Sequence, residues 1–254
     1  MNITIDTIYN MDCLQGMKQM QTGSVDCVIT SPPYNFCLRV HGDKYTHRTK
    51  GEKRKGLNIN KYVGDLNDSL DMEDYYKWQC ECIDEMLRIS TGLVFYNIQP
   101  ITGNKWAVFN IIGKYADNIR EIIIWDKINA EPAIGEHILN SQYEFIIVFD
   151  HGDCKGRQFK KSYFERGTLS NVIRIGKNHE NEHRAAFPLN LPRLLIKNFV
   201  PSGGVILDPF IGSGTTAIAC IQEKCHYIGF ELNEEYFIKA EKDIKIASSQ
   251  LSLF

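Results

Sequence analysis

The stretch G-V-I-L-D-P-F-I-G-S-G-T-T, residues 204 to 216, decides how this chain is read. Its first part, G-V-I-L-D, is apolar enough for a buried strand, and residues 214–223 read as a helix. Between them Gly212 and Gly214 permit a tight turn and let a ligand approach the main chain closely. The spacing is not that of a P-loop, because no lysine follows the glycines. It also departs from the GxGxxG fingerprint, since Thr215 and Thr216 follow Gly214 and Ala217 only partly supplies the third small residue. Twenty-three residues beyond Asp208, the strand H-Y-I-G-F runs into Glu231. A carboxylate at the tip of the next parallel strand can accept both hydroxyls of a ribose. The other reading is a strand–helix turn whose glycines serve packing alone, with Glu231 a solvent-facing cap.

Outward from this unit the alternation continues. Residues 3–9 and 25–30 read as strands, with a helix over 12–22 that Asp12 would cap. Tyr75, Trp78, Cys82, Met86 and Ile89 recur at helical intervals and predict a helix over 71–89. Strands follow at 93–98, 119–125 and 143–149, with a helix at 104–116 and an amphipathic tail helix at 234–248. Short apolar strands between helices predict βα units and a mainly parallel sheet; an α+β domain with the same elements is the alternative.

Two stretches break the pattern. Residues 39–62 hold eight Lys/Arg against two acids, with three glycines. Residues 150–184 are again polar and basic at their start. Both read as insertions on a core, where binding specificity usually resides.

Composition narrows the field further. At 254 residues the chain can build one substantial core, and a large second domain is not expected. A net charge of -2 excludes a wholly basic nucleic-acid coat but not a local basic patch. The eight cysteines show no metal-type spacing and suggest buried free thiols in a reducing cytosol. No signal peptide or membrane-spanning run is read, so a cytoplasmic protein with no membrane partner is expected. No metal is expected either.

The apolar run V-D-C-V-I-T ends in T-S-P-P-Y, residues 30 to 34. Two prolines and a tyrosine at a strand end are a poor choice for packing, although a plain proline turn is possible there. With this motif and D-P-F-I-G-S-G-T-T both in hand, the chain resembles the amino-group DNA methyltransferases that use S-adenosylmethionine. It resembles in particular their circularly permuted class, in which the catalytic motif precedes the cofactor motif. That family carries Asp, Asn or Ser before Pro-Pro-Tyr/Phe, where this chain has Ser31 to Tyr34. Y-N-M-D-C-L (9–14), H-R-A-A-F-P-L-N-L-P (183–192) and G-F-E (229–231) are similar to further family segments, with Arg184 replacing a usual proline.

The resemblance implies an α/β, Rossmann-like methyltransferase fold: a mostly parallel seven-stranded sheet with helices on both faces. It implies one catalytic domain over 1–254, with a basic DNA-contacting loop at 37–62 and a small target-recognition insertion at about 150–183. Ser31 Oγ and the Pro32 carbonyl would accept hydrogens from the exocyclic amine of a flipped base, Pro33 would stiffen the turn, and Tyr34 would stack on the ring. Phe36 would add a wall. For S-adenosyl-L-methionine, Asp208, Pro209, Phe210, Gly212, Ser213, Gly214 and Thr215 would wrap the methionine part. Glu231 would bind the ribose and Asp12 would approach the adenine; Phe230 would either flank the adenine or pack in the core. Arg39, Lys44, Arg48, Lys50, Lys53, Arg54 and Lys55 would contact phosphates of double-stranded DNA, and Arg157, Lys160, Lys161 and Arg166 would do so or read bases. An insertion this short leaves sequence reading to be shared with the basic loop or a second copy of the chain, so a homodimer is one arrangement allowed. Functional pairing with a restriction endonuclease is another expectation.

Ser before Pro-Pro leans toward N4 of cytosine in that family, and N6 of adenine is the alternative. No proline-cysteine-glutamine setting surrounds any cysteine, which argues against carbon-5 cytosine methylation. A methyltransferase acting on RNA or on protein glutamine, and a non-catalytic nucleic-acid-binding protein with a degenerate cofactor site, are the remaining alternatives.

Overall fold

Strands in this chain are apolar on both sides because helices cover both sides. The computed structural model describes residues 3–41, 44–47, 68–129, 136–152, 154–176 and 187–251. The first half contains β1 (Thr7–Asn10), α1 (Cys13–Lys18), β2 (Cys27–Thr30), β3 (Leu38–His41), β4 (Lys44–His47), α2 (Met72–Ile89), β5 (Val94–Ile98) and α3 (Lys105–Lys114). Then come β6 (Ile119–Asp126), β7 (Tyr143–Phe149), β8 (Val172–Arg174), α4 (Asn190–Phe199), β9 (Val205–Asp208), α5 (Thr215–Gln222), β10 (His226–Glu231) and α6 (Glu234–Leu251).

Alternate residues of each strand serve opposite layers. Cys27, Ile29, Ile146, Val148 and Ile206 pack with α4, α5 and α6, through Leu195, Phe199, Cys220 and Ile244. Their neighbours Val28, Ile147 and Leu207 pack on the other face with α1, α2 and α3, through Met17, Ile83, Met86 and Ile111. Helix α2 has Glu73 and Asp74 in its first turn and Arg88 in its last, which complements the helix dipole. In α4, Pro192 is tolerated because it falls in the first turn, where its missing N–H has no partner to lose.

The strands form one sheet in the order β1-β10-β9-β2-β5-β7-β6-β8. All neighbours run parallel except β7, which opposes β5 and β6. Seven strands were expected, and among the described residues there are eight. The additional one, β8, arises from the expected insertion and covers the edge of β6, where Trp125 Nε1 donates to Ile175 O at 2.8 Å. The basic stretch also contributes structure, since β3 and β4 pair as an antiparallel hairpin.

The sheet's central feature is a reversal. From β9 the chain winds through α5 to β10 on one side; from β2 it winds through α2 to β5 on the other. Connections leaving two adjacent strands in opposite directions open a crevice at their carboxyl ends. The two motifs, 174 residues apart from Tyr34 to Asp208, both emerge there. No helix among the described residues is long and apolar enough to cross a membrane.

Candidate active site

On the β9 side of the crevice the main chain makes the site. Gly212 and Gly214 take φ of +53° and +84°, values that disfavour any residue with a Cβ. Gly214 caps α5, and a Cβ there would meet Ile244 at 3.2 Å. Glu231, at the tip of β10, accepts from Gly212 N at 2.9 Å and Asn233 N at 2.8 Å. Its carboxylate therefore holds the glycine turn against the neighbouring strand end. Asp12 caps α1 through Gln15 N at 3.0 Å, and the adjacent Met11 N donates to Glu231 O at 3.1 Å. Asp12, the glycine turn and Glu231 thus share one corner.

Asp208 ends β9 and is buried. It accepts from Thr30 Oγ1 and Thr216 Oγ1, both at 2.6 Å, and from Phe210 N at 3.1 Å. Burial raises its pKa to about 6, with the three donors pulling the other way. Its carboxylate ties the end of β2 to the glycine loop and its helix. Pro209 is buried, whereas Phe210, Ser213 and Thr215 are half-buried, and Phe210 lies edge-on to Trp78 at 5.6 Å between centroids. Phe230 is fully buried against Gly16 and Tyr9, so of its two expected roles it takes core packing.

On the β2 side, side chains make the site. Ser31 Oγ lies 3.1 Å from Tyr34 Oη, and Tyr34 Oη donates to Glu144 Oε2 at 2.6 Å. Asn97 Nδ2 donates to Glu144 Oε2 at 2.8 Å and Tyr34 Oη at 3.0 Å, and lies 3.4 Å from Ser31 Oγ. Lys127 Nζ pairs with Glu144 Oε1 at 3.2 Å. Asn97, Lys127 and Glu144 are all buried. Burial first, and then the Glu144 carboxylate, hold the Tyr34 phenol well above its usual pKa, so it stays protonated. None of these three buried residues was expected from the sequence. The available signal was a lone acid in Y-E-F-I-I-V-F and a lone amide in V-F-Y-N-I, polar residues at the ends of apolar strands.

The segment after the motif is pinned from outside. Tyr75 Oη donates to Pro33 O at 2.7 Å. Asn35, at φ +56°, donates from its side chain to Leu70 O and Gly103 O and accepts from Leu70 N, each at 2.9 Å. A Cβ on Gly103 would lie 2.1 Å from Asn35 O, so the close approach requires glycine. Asp68 accepts from Phe36 N through Oδ1 at 2.8 Å and from Cys37 N through its carbonyl at 3.0 Å. Cys37 is buried.

The expected DNA-contacting residues divide into three groups. Arg39 and Lys44 lie on the β3–β4 hairpin that directly follows the motif. Arg48, Lys50, Lys53, Arg54 and Lys55 fall outside the described residues. Arg157, Lys160 and Lys161 are not brought to the crevice. Strand β7 runs away from it, and the chain beyond is fastened to the far end of the sheet by Arg120 with Asp150 and by Arg157 with Glu121. Phe159 and Phe164 then pack on Phe199, at the end of α4 that leads into β9.

This fold is that of S-adenosylmethionine-dependent methyltransferases. PvuII DNA methyltransferase (cytosine-N4-specific) matches it with a TM-score of 0.68 at 17% identity, covering 98% of this chain and 93% of that one. A putative DNA modification methylase of Thermus thermophilus, complexed with S-adenosyl-L-methionine, matches with a TM-score of 0.63 at 20% identity, covering 95% and 93%. The family model described as DNA methylase, N6/N4 type, matches residues 25–242, and the chain belongs to that family. Type II methyltransferase M.Cfr9I of Citrobacter freundii is 25% identical over 91% of this chain and 84% of its own length. M.SmaI of Serratia marcescens is 26% identical over 92% and 88%. The chain is therefore a DNA methyltransferase of the N4/N6 family, and its cofactor is S-adenosyl-L-methionine.

Proposed function

We propose that this chain is a site-specific DNA methyltransferase that methylates the exocyclic N4 amine of cytosine flipped out of duplex DNA. The observation that carries the reading is the placement of Ser31. It follows β2 directly, one strand from the glycine loop, with Thr30 and Asp208 bonded between them. Ser31 and the glycine loop thus flank one crevice, where they would serve as amine acceptor and cofactor cradle.

The residues fit the cofactor. Glu231 stands at the tip of β10 beside the glycine turn, where its carboxylate, which accepts from Gly212 N and Asn233 N, would also meet the ribose hydroxyls. Gly212 faces open space at a positive φ, leaving the turn approachable. Asp12 would lie toward the adenine, and the 210–215 loop would hold the methionine part. Once bound, the cofactor supplies an electrophilic methyl on sulfur.

The other reactant needs help, because an exocyclic amine shares its lone pair with the ring. Base flipping brings it within reach. Ser31 Oγ and Pro32 O would accept its two hydrogens, drawing the nitrogen toward tetrahedral geometry and aiming the lone pair at the methyl. The nitrogen gains the methyl and one of its protons is lost to solvent. Tyr34 would carry the base on its ring face while its hydroxyl holds the ring in place.

Arg39 and Lys44, on the β3–β4 hairpin, would contact phosphates of the duplex. The chain would act as one catalytic domain. The Type II names of its relatives support pairing with a restriction endonuclease.

The test is nucleoside analysis of duplex DNA incubated with the protein and methyl-labelled cofactor. Label in N4-methylcytosine is expected. Label in N6-methyladenine would assign the other base, and no label in DNA would overturn the reading.

A further inference from the structure

Serine differs from aspartate in the motif's first position in one respect that matters. A carboxylate can only accept hydrogen bonds, whereas a hydroxyl can present either a proton or lone pairs. A Ser31 hydroxyl that turned its proton toward an amine would repel the hydrogens it must hold. Something must set its direction.

Donor counting around Ser31 supplies the answer. Glu144 Oε2 receives two donors, the Tyr34 hydroxyl at 2.6 Å and Asn97 Nδ2 at 2.8 Å, while Lys127 Nζ lies 3.2 Å from Oε1. A buried carboxylate held by these donors takes the single phenolic proton of Tyr34. Tyr34 Oη can then only accept from Ser31 Oγ, 3.1 Å away. The second hydrogen of Asn97 Nδ2 is shared between Tyr34 Oη at 3.0 Å and Ser31 Oγ at 3.4 Å, and at either oxygen it demands an acceptor, which leaves the Ser31 proton for Tyr34. Protons therefore run one way, from Ser31 to Tyr34 to Glu144.

We propose that Glu144, acting through Tyr34, fixes Ser31 as a donor into the protein, so that its lone pairs face the amine of the incoming base. Glu144, Asn97 and Lys127 are positioning residues in this scheme. The device selects bases that present an amine and disfavours those that present a carbonyl at the same position. It rests on the assignment of Ser31 as the amine acceptor, but it holds for cytosine and adenine alike.

The test compares Tyr34→Phe and Glu144→Gln with the natural chain, each made both alone and together with Ser31→Asp. Made alone, each should lower kcat about ten- to a hundredfold, with cofactor binding unchanged within about twofold. Combined with Ser31→Asp, neither should cause a further loss, because a carboxylate accepts whatever its neighbours do. Tyr34→Phe leaves the Lys127–Glu144 pair in place, so it remains decisive if Glu144→Gln fails to fold. Full kcat in Tyr34→Phe would overturn the relay, as would an equal loss in the Ser31→Asp background. If Ser31→Ala methylates DNA at the full rate, the acceptor assignment itself falls; if Ser31→Ala is inactive and Tyr34→Phe fully active, only the relay falls.

Discussion

The two walls of the crevice hold their polar groups by different means. On the β9–β10 wall, main-chain N–H groups and nearby hydroxyls hold the acids: Glu231 by Gly212 and Asn233, Asp208 by Phe210, Thr216 and Thr30. On the β2–β5–β7 wall, side chains hold one another, with Ser31, Tyr34, Asn97, Glu144 and Lys127 drawn from four separate segments. A backbone-built wall depends on φ values and survives modest side-chain change. A side-chain network depends on each member's donor or acceptor sense, and removing one member misdirects the rest.

The sharpest separation of the two walls should come from Ser31→Ala. Methyl transfer to DNA is expected to fall about a thousandfold, with the cofactor Kd moved by less than about twofold. Glu231→Gln is the counterpart on the other wall. It sets an NH2 against one of two backbone donors and should weaken cofactor binding about ten- to a hundredfold by calorimetry. Loss of cofactor binding in both variants would show that the walls are one unit. Gly214→Ala forces a Cβ onto a φ of +84° and toward Ile244, at a cost of about 1–2 kcal/mol in denaturant unfolding.

Asp208 joins the walls, and its titration reports on the joint. Its carboxyl rises from 3.8 unfolded to about 6 folded, so the folded state holds the extra proton. That contribution is complete below pH 3.8 and is lost as pH rises through about 6. The Tm of the natural chain should therefore fall relative to Asp208→Asn between about pH 4 and 6; parallel Tm profiles would show no shift. The smallest effect is expected at the far end of the sheet. Arg157→Ala removes a side chain 76% exposed, paired only with Glu121 among the contacts described for it. It should cost under about 1 kcal/mol and leave methylation unchanged; a large drop in DNA affinity would bring that end into the interface.

The backbone-built wall was legible in the sequence because its partners lie close along the chain or follow a register. Asp208 and Phe210 are two residues apart, as are Glu231 and Asn233. The glycines announce the turn, and β9, α5 and β10 were expected within a residue or two of where they form. Glu144 was not legible as a site residue, because its partner Tyr34 is 110 residues away, beyond the end of a strand two places along the sheet. Its strand was read correctly as Y-E-F-I-I-V-F, and nothing local says which way the glutamate points. The β3–β4 hairpin was hidden by its charge, and β8 by having only three residues. The insertion's basic residues were expected at DNA from the resemblance, and their place in the fold follows from the antiparallel course of β7.

Asn35 and its glycine partner carry a consequence for the order of events. The chain from Thr30 to Cys37 is fastened at both ends and in the middle before any base arrives. Such a surface, over residues 30–37, is already in place for the base. The waiting time before chemistry would then be set on the nucleic-acid side, by how often the target nucleotide leaves its stack. Mispairing the target base, which makes that departure easier, should quicken the approach to the reactive complex and leave the methyl-transfer step at its own pace.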